Sequence, residues 1–422
     1  MSLASILPYA LVPDAPAIFV CGCLERWVSI HLQAVRALNL AWALRSTGRA
    51  DAGTRVCVIG GGFAGLAVAA GLARGGAKLT LLEQNDALLG AQRRNRVRWI
   101  HPHIHEWPRA GALDPRAGLP LLDWTAALSA DVAAAVLAGF EDESRRSGID
   151  VVTGARSVAL TALGPRPTVT WMGGVPVPFD AVILALGVGV EKSFGDLPLR
   201  SYWADDDIAT VKSGPPRHHL VTGIGEGGVI DALYLRLGNF SHAEIAQTLD
   251  AIPGMGAVAR GLLDIETEIA GLSDPAANAL LPDRYAALPV PIAVDQALRA
   301  RVRADTRVTL NGPEPYPLAP RADVLNRFLL ARLLGIGALA YLPGMVTTIV
   351  RDGGGYRADI AGASHGFDEV NIRHGTVAAL KSGFPEVWER YQPVRSRLPH
   401  LTPEPFWPDG FFDAGVGGHG AL

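Results

Sequence analysis

A glycine-rich turn between a short apolar run and an alanine-rich segment is the part of this chain best suited to chemistry. The run RVCVI (55–59) predicts a strand, GGGFAG (60–65) matches the pattern GxGxxG, and the small residues after it predict a helix. In such a turn the first glycine permits the bend, the second lets the backbone approach a pyrophosphate, and the third lets the helix pack closely on the strand. The free N–H groups and positive dipole end of the helix would attract the phosphates. The residues predicted to bind a dinucleotide here are Gly60, Gly62, Phe63, Ala64 and Gly65.

A carboxylate lies where a dinucleotide would place a ribose. Glu83 comes 23 residues after Gly60, at the end of the second predicted strand, and could accept hydrogen bonds from both ribose hydroxyls of an adenosine. The strand, the helix and this acid together indicate a bound dinucleotide more strongly than the glycines alone. The alternative is a structural glycine turn in an unrelated α/β protein. Gln84, next to the acid, is included among the predicted cofactor-binding residues.

The same stretch resembles a known superfamily. Residues 56–83 closely follow the pattern VxVIGGGxAGLxxAxxLxxxGxxVxLLE of FAD-binding flavoproteins with two dinucleotide-binding domains, such as disulfide reductases, flavin monooxygenases and amine oxidases. PFDAVILALG (178–187) is similar to the D-x-V-I-x-A-T-G strand of that superfamily, with Leu186 where Thr is usual. The resemblance covers about residues 54–191. It implies an α/β fold, a Rossmann-like FAD-binding domain with a β-meander, and FAD contacts at Gly187 and Arg93.

A second glycine turn lies in the second half of the chain. HHLVTGIGEGGVIDALYLRL (218–237) again predicts strand, GxGxxG and helix, with Gly223, Gly225 and Gly228 as its glycines. Strand and helix patterns then repeat the order of the first half and end in GFDEVNIRHG (366–375), which parallels PFDAVILALG. The repeat predicts a second, degenerate dinucleotide-binding-like domain that carries a helical insert at about 238–305.

Two interpretations of the second turn stay open from the sequence. In one it binds NADPH or NADH, although Asn311 at the end of the next strand is neither an acid for a ribose nor an Arg for a 2′-phosphate. In the other it closes the FAD domain, because that superfamily ends the domain with a strand whose Gly-Asp pair meets the ribityl chain. Gly225 and Glu226 would then replace that pair. Both interpretations place these two residues at a dinucleotide.

Histidines supply the candidate catalytic groups. In WIHPHIHEWP (99–108), His101, His103 and His105 alternate and would point the same way on a strand, but the two prolines favour an irregular loop. The loop follows Arg93 and could face the flavin or the substrate. A metal site and a purely structural loop are the alternatives, and no metal is expected. His374, with Arg373, occupies in the second half the sheet-end place of Leu186 and Gly187, and is a further candidate.

Composition limits the class of protein. The chain has 422 residues, of which 49% are hydrophobic and 19% charged, with a net charge of −3, so bulk electrostatics do not suggest a nucleic-acid partner. The cysteines are Cys21, Cys23 and Cys57, which form neither the Cys-x-x-Cys nor the Cys-x4-Cys that disulfide reductases use. Prolines interrupt the apolar residues at the start of the chain, so this segment predicts neither a signal peptide nor a membrane span. A cytoplasmic protein with a small-molecule substrate and no membrane partner is expected, while its oligomeric state is left open.

These patterns predict an FAD-dependent oxidoreductase. The expected domains are an N-terminal extension with a helix (1–53), the FAD-binding domain (54–215), the second dinucleotide-binding-like domain (216–385) and a C-terminal tail (386–422). NAD(P)H-driven monooxygenation of a small molecule is the favoured activity. The alternatives are an amine or amino-acid oxidase that uses no nicotinamide, and a flavin-binding protein without turnover.

Overall fold

Two parallel sheets organise the chain, each in a compact unit of its own. The computed structural model describes residues 6–22, 28–161, 166–198, 200–397 and 404–413. The first unit comprises Met1–Pro102, Arg116–Val190 and Thr376–Leu422, and the second comprises His103–Pro115 and Glu191–Gly375. This division falls at positions other than the predicted domain boundaries, and it includes residues 1–53 in the first unit.

Helices connect and cover short strands along the described part of the chain. The helices are α1 (Leu7–Ala10), α2 (Ile30–Ser46), α3 (Phe63–Ala73), α4 (Ser129–Ser147), α5 (Glu226–Arg236), α6 (His242–Asp250), α7 (Met255–Ile269), α8 (Asp274–Ala286), α9 (Ile292–Arg301), α10 (Val324–Gly335), α11 (Ala379–Gly383) and α12 (Pro385–Arg395). The strands are β1 (Leu11–Val12), β2 (Ala15–Val20), β3 (Arg55–Ile59), β4 (Lys78–Leu82), β5 (Trp99–Ile100), β6 (Ala127–Leu128), β7 (Asp150–Val152), β8 (Ala159–Thr161), β9 (Thr168–Thr170), β10 (Val177–Pro178), β11 (Ala181–Leu184), β12 (Val190–Glu191), β13 (Arg217–Thr222), β14 (Thr306–Gly312), β15 (Ala340–Pro343), β16 (Val346–Asp352), β17 (Gly355–Ile360), β18 (Ala363–Phe367), β19 (Glu369–Ile372) and β20 (Thr376–Val377). None of these helices is long and apolar enough to span a bilayer.

The first unit is built on a sheet with the strand order β1-β2-β11-β3-β4-β7. All neighbouring strands run parallel except β1, which pairs antiparallel with β2. Residues 56–59 of β3 and all of β11 are buried, as expected for central strands covered on both faces. Helices α2 and α3 pack closely, since a Cβ added at Gly71 would lie 2.8 Å from that of Ala41. Small residues therefore allow α2 and α3 to pack closely against each other.

The second unit repeats this plan. Its sheet has the order β15-β14-β13-β19 with every neighbouring pair parallel, and β16, β17 and β18 form an antiparallel meander like β8, β9 and β10 of the first unit. Helices α6 to α9 lie between α5 and β14, where the helical insert is predicted. The α/β fold class with two Rossmann-like sheets is confirmed. The interpretation of β13 as the strand that closes the first sheet is wrong, because β13 pairs with β14 and β19.

The repeated Phe-Asp motif has the same structural task in both units. The Asp180 carboxylate accepts from the backbone N–H of Arg55 at 2.9 Å, and the Asp368 carboxylate accepts from that of His218 at 2.6 Å. In each unit the backbone N–H of the same aspartate donates to the carbonyl of the same partner at 2.8 Å. The motif thus ties the start of β11 to that of β3 in the first unit, and the start of β19 to that of β13 in the second.

Candidate functional site

The first glycine turn has the close contacts that its sequence predicts. Gly60 has a φ of +116°, and a Cβ there would lie 2.3 Å from the carbonyl oxygen of Ala185. A Cβ at Gly65 would lie 1.8 Å from the carbonyl oxygen of Gly60, so helix α3 can approach only without a side chain. At Gly62, the N-cap of α3, a Cβ would meet nothing within 4 Å. The open space at the start of α3 fits a diphosphate held by helix N–H groups.

Glu83 lies directly against this turn. One of its carboxylate oxygens accepts from the backbone N–H of Gly61 at 2.7 Å. The other accepts from the backbone N–H and the side-chain amide of Asn85, at 2.8 and 2.6 Å. The residue is buried, with 8% of its surface exposed, yet the oxygen that accepts from Gly61 has a further lone pair for a ribose hydroxyl. The acid therefore holds the turn in shape, a role that the sequence did not indicate.

We expect Glu83→Ala to weaken FAD binding by about 1.5–3 kcal/mol, the usual range for hydrogen bonds to a charged group. The loss combines the missing ribose acceptor with a looser turn at Gly61. Titration of the apoprotein with FAD measures it. Asp51→Ala is the control, because Asp51 is an exposed acid that precedes β3 at the opposite edge of the sheet. Equal affinity in Glu83→Ala and the wild type would remove Glu83 from the site.

The other residues predicted near the flavin lie at the rim of this region. Gly187 follows β11 with a φ of +70° and open space around its missing side chain. Arg93 is exposed in the 3-10 turn Gln92–Arg94, and Gln84 is exposed after β4. Their contacts to FAD stay predictions.

The second glycine turn has the geometry of the first. Gly223 has a φ of +118°, and a Cβ there would lie 2.1 Å from the carbonyl oxygen of Arg373. A Cβ at Gly228 would lie 1.8 Å from the carbonyl oxygen of Gly223, and one at Gly225 would meet nothing within 4 Å. Arg373 therefore corresponds to Ala185 rather than to Leu186, one residue earlier than the sequence comparison suggested. The space at the start of α5 matches that at the start of α3.

The ribose position of the second turn differs from that of the first. The backbone N–H of the first glycine bonds to the carbonyl of Leu82 in the first unit and of Asn311 in the second, both at 2.8 Å. Asn311 thus corresponds to Leu82, and the residue that corresponds to Glu83 is Gly312. The sequence comparison, which matched Asn311 with Glu83, was wrong by one residue. A Cβ at Gly312 would lie 2.6 Å from Cγ2 of Ile224, so a buried isoleucine covers this position.

Glu226 binds protein groups at the start of another helix. Its carboxylate accepts from the backbone N–H of Asp323 at 2.8 Å and from the amide of Asn326 at 2.5 Å. Burial, and then the nearby Glu226 carboxylate, raise the pKa of Asp323 well above its usual value. Burial also raises the pKa of Glu226, so the pair retains a proton more readily than two separate carboxyls would. These contacts join the start of α5 to that of α10, and a contact of Glu226 with a dinucleotide stays a prediction.

This carboxyl pair gives a pH dependence with a defined sign. A raised pKa means that the folded protein keeps a proton that the unfolded chain loses above about pH 4, so stability falls as the pH rises through the folded-state value. We expect Asp323→Asn, whose amide can still donate to Glu226, to raise the melting temperature more at pH 8 than at pH 5. Thermal unfolding at both pH values measures this. A shift of the same size at both would contradict the retained proton.

His374 lies at the carboxyl end of β19 in a directed chain of hydrogen bonds. The Asn311 amide donates to two backbone carbonyls at the end of β15, so its oxygen accepts from the Thr222 hydroxyl at 2.8 Å. Because the Thr222 hydroxyl donates its proton to Asn311, its oxygen accepts a hydrogen bond from Nε2–H of His374, also at 2.8 Å. The other imidazole nitrogen, Nδ1, is then an acceptor. Burial and then the charge of Lys192 lower the pKa of His374. A neutral imidazole beside the second turn follows, and its catalytic role stays a prediction.

The alternating histidines do not lie on one strand. β5 ends before His101, which is buried in the first unit. In the second unit, His103 is the N-cap of the 3-10 turn Ile104–Glu106 and His105 lies within that turn. Both of the latter approach the Glu106 carboxylate, at 3.8 and 3.7 Å. The loop interpretation is the one that agrees with the structure, because Pro102 interrupts the strand pairing. No group of three or more potential metal ligands occurs within the described residues.

Trp107 is the residue of this loop that the sequence analysis missed. Its indole N–H donates to the Asp250 carboxylate at 3.1 Å, and its ring packs 5.8 Å from that of Phe328. Only 1% of its surface is exposed. The tryptophan therefore anchors residues 103–115 within the second unit, and its place in an aromatic, proline-bounded loop was the available signal.

The comparison with protein families agrees with the geometry of the first turn. Residues 55–133 match the sequence model of the family described as FAD dependent oxidoreductase. The expectations of FAD as cofactor and of an oxidoreductase are thereby confirmed, while the match leaves the reaction type open. No curated protein sequence matches the chain.

Solved structures of two reductases and a flavin monooxygenase are similar to this chain at low identity and low TM-score. A bacillithiol disulfide reductase from Staphylococcus aureus is 13% identical over 77% of both chains, with a TM-score of 0.44. A thioredoxin reductase from Lactococcus lactis is 13% identical over 78% of this chain and 81% of its own, with a TM-score of 0.42. A flavin monooxygenase from Stenotrophomonas maltophilia is 16% identical over 78% of this chain and 80% of its own, with a TM-score of 0.40. Reductases and monooxygenases occur side by side among them.

Proposed function

We propose that this FAD-dependent oxidoreductase takes its electrons from a nicotinamide dinucleotide and oxygenates a small molecule, as a flavin monooxygenase does. The observation that carries the proposal is the second glycine turn. It repeats the first in its positive-φ glycine, its open N-cap glycine and its close helix contact, and it lies in a parallel sheet of its own. A chain with two such turns has a place for a second dinucleotide besides FAD.

The residues of the chain bind and orient the two cofactors in this proposal. FAD, when bound, supplies the electron transfer. The open N-cap at Gly62 receives its diphosphate, and Glu83 receives its adenosine ribose. Gly225 and the N-terminus of α5 receive the diphosphate of the nicotinamide cofactor, and His374 offers a neutral acceptor beside that turn.

NADH is the donor that the second ribose position favours. A 2′-phosphate is normally bound by a cation near the end of the second strand. The loop 311–320, NGPEPYPLAP, contains Glu314 and no Lys or Arg. The next residue, Arg321, is paired with Asp274. A 2′-phosphate would meet a negative charge here rather than a cation.

The cysteines support oxygenation over disulfide reduction. The chain has no Cys-x-x-Cys or Cys-x4-Cys. Cys57 lies inside β3, and burial raises the pKa of its thiol, which keeps it from acting as a thiolate nucleophile. Cys23 lies outside the described residues. The runner-up, an amine or amino-acid oxidase with the 238–305 insert as substrate domain, is less favoured because β13 pairs with β14 and β19 and does not close the first sheet.

Anaerobic reduction of the bound flavin tests the proposal. NADH is expected to bleach the absorbance near 450 nm at least about tenfold faster than NADPH at equal concentration, since an unmatched phosphate costs more than about 1.4 kcal/mol. Reduction by an amine or amino acid and by neither nicotinamide would establish the oxidase. Reduction by no donor would favour the non-catalytic flavoprotein. A preference for NADPH would keep the function and reject the donor assignment.

A further inference from the structure

The strand that closes the first sheet comes from the amino-terminal part of the chain. β2 runs parallel to β11, with Ile18, Phe19 and Val20 opposite residues 182–184. The backbone N–H of Cys21 continues the ladder to the carbonyl of Leu184 at 2.9 Å. Since β11 also pairs with β3, the carboxyl ends of β3, β11 and β2 form one continuous edge. The residues after β2 thus lie on the edge that carries the first glycine turn.

This edge is where an open α/β sheet binds its ligand. Ligands of such sheets lie outside the strand carboxyl ends, at the point where the strand order reverses. In this unit the chain proceeds from β3 to β4 and β7 on one side, and β11 and β2 lie on the other. The reversal falls between β3 and β11, one strand away from β2. FAD bound at the first turn would extend along the ends of these three strands.

Gly22 and Gln33 meet at the end of β2. Gly22 has a φ of +66°, and a Cβ there would lie 1.9 Å from Oε1 of Gln33, so a larger residue would strain the backbone and displace the end of this side chain. Gln33 lies near the start of α2, after the Ser29 cap. Its Nε2 is buried and has no hydrogen-bond partner among the described residues. An amide donor left unpaired in this way destabilises the protein, and an acceptor on a ligand would recover that loss.

We infer that β2 and α2 complete the FAD site, with Gly22 and Gln33 bordering the part of the cofactor beyond its diphosphate and the Gln33 amide donating to one of its oxygens. The closing strand of the FAD fold then precedes β3 in this chain, whereas the superfamily resemblance predicted it after β11. The amino-terminal segment is a cofactor-binding element rather than an extension.

A matched pair of variants on α2 tests this assignment in the full chain. Gln33→Met removes the donor but keeps the length of the side chain. Asn39→Leu is the control: the Asn39 amide holds the tail, donating to the Glu404 carbonyl and accepting from the Phe406 N–H, each at 2.8 Å. We expect Gln33→Met to raise the Kd for FAD at least about tenfold without lowering the melting temperature of the apoprotein. Asn39→Leu should lower that melting temperature and leave the Kd for FAD within about threefold.

Hydrogen exchange on the unaltered protein gives a second measurement that no folding defect can obscure. FAD added to the apoprotein should slow exchange in peptides covering residues 28–36, as well as in those covering the first glycine turn. Peptides from α9, in the second unit, serve as the reference. Protection confined to the glycine turn and Glu83, or wild-type FAD affinity in a folded Gln33→Met protein, would overturn the inference. Both readouts concern FAD alone, so they are independent of the electron donor.

Discussion

A Gly62→Val variant is expected to fold and to purify without FAD. Nothing lies within 4 Å of the Cβ position at Gly62, so the extra side chain meets no protein atom, and the backbone there has an ordinary extended conformation. The same side chain would fill the space beside the start of α3 in which a diphosphate must lie. We expect flavin content to fall below about a tenth of that of the wild type, which corresponds to more than about 1.4 kcal/mol.

The ratio of flavin to protein absorbance, read together with circular dichroism, measures this. Gly53→Val is a control for an added valine, because Gly53 precedes β3 at the opposite edge of the sheet and also has open space around it. It should keep its flavin, although its φ of +84° makes it less stable. A folded Gly62→Val protein with a full complement of FAD would show that this turn has been misassigned.

A Gly225→Val variant is expected to keep FAD and to lose its reduction by NADH. The N-cap position of α5 is as open as that of α3, so the variant should fold. Because β13 belongs to the second sheet, bulk at Gly225 lies in a different unit from the first turn. We expect the rate of anaerobic flavin reduction to fall at least about a hundredfold at a fixed NADH concentration, or about 2.7 kcal/mol.

Flavin content and stopped-flow reduction, recorded on one preparation, separate the possible outcomes. Flavin retained with reduction lost supports a nicotinamide site at the second turn. Flavin lost from a folded Gly225→Val protein would mean that the second turn contributes to FAD binding. If neither property changes, the second turn is only structural, and the proposal of a nicotinamide donor loses its main support.

Local patterns in the sequence identified both glycine turns and their surroundings. A GxGxxG turn needs glycine for reasons confined to a few residues: a positive φ at Gly60 and Gly223, and a helix against its own turn at Gly65 and Gly228. The repeated Phe-Asp motif was also visible in the sequence, and each copy contacts the start of its glycine-turn strand, 125 and 150 residues away respectively. Each of these features depends on residues that are neighbours in the sequence and on the pairing of one strand with the next strand in its sheet.

Register errors of one residue account for the differences at the second site. Asn311 was matched with Glu83, and Arg373 with Leu186, by counting along the chain. The hydrogen-bonded ladder instead matches Gly312 with Glu83, and the close contact at the first glycine of each turn matches Arg373 with Ala185. A shift of one residue reverses the face on which a side chain points, so composition near a strand end cannot replace the pairing itself. The contact between Gly312 and Ile224 could not be predicted from the sequence for the same reason.

The chain by itself determined the cofactor, the two-sheet α/β class and the residues of both turns, because these depend on local geometry that a short segment imposes. Only the tertiary structure decided which strands are neighbours. β2 reaches β11 across more than 150 residues of sequence, and β13 pairs with β14 across the helical insert. Pairing between distant segments depends on which apolar faces meet in the folded core, and no local pattern encodes that choice. This is why the closing strand was sought after β11 and is found before β3.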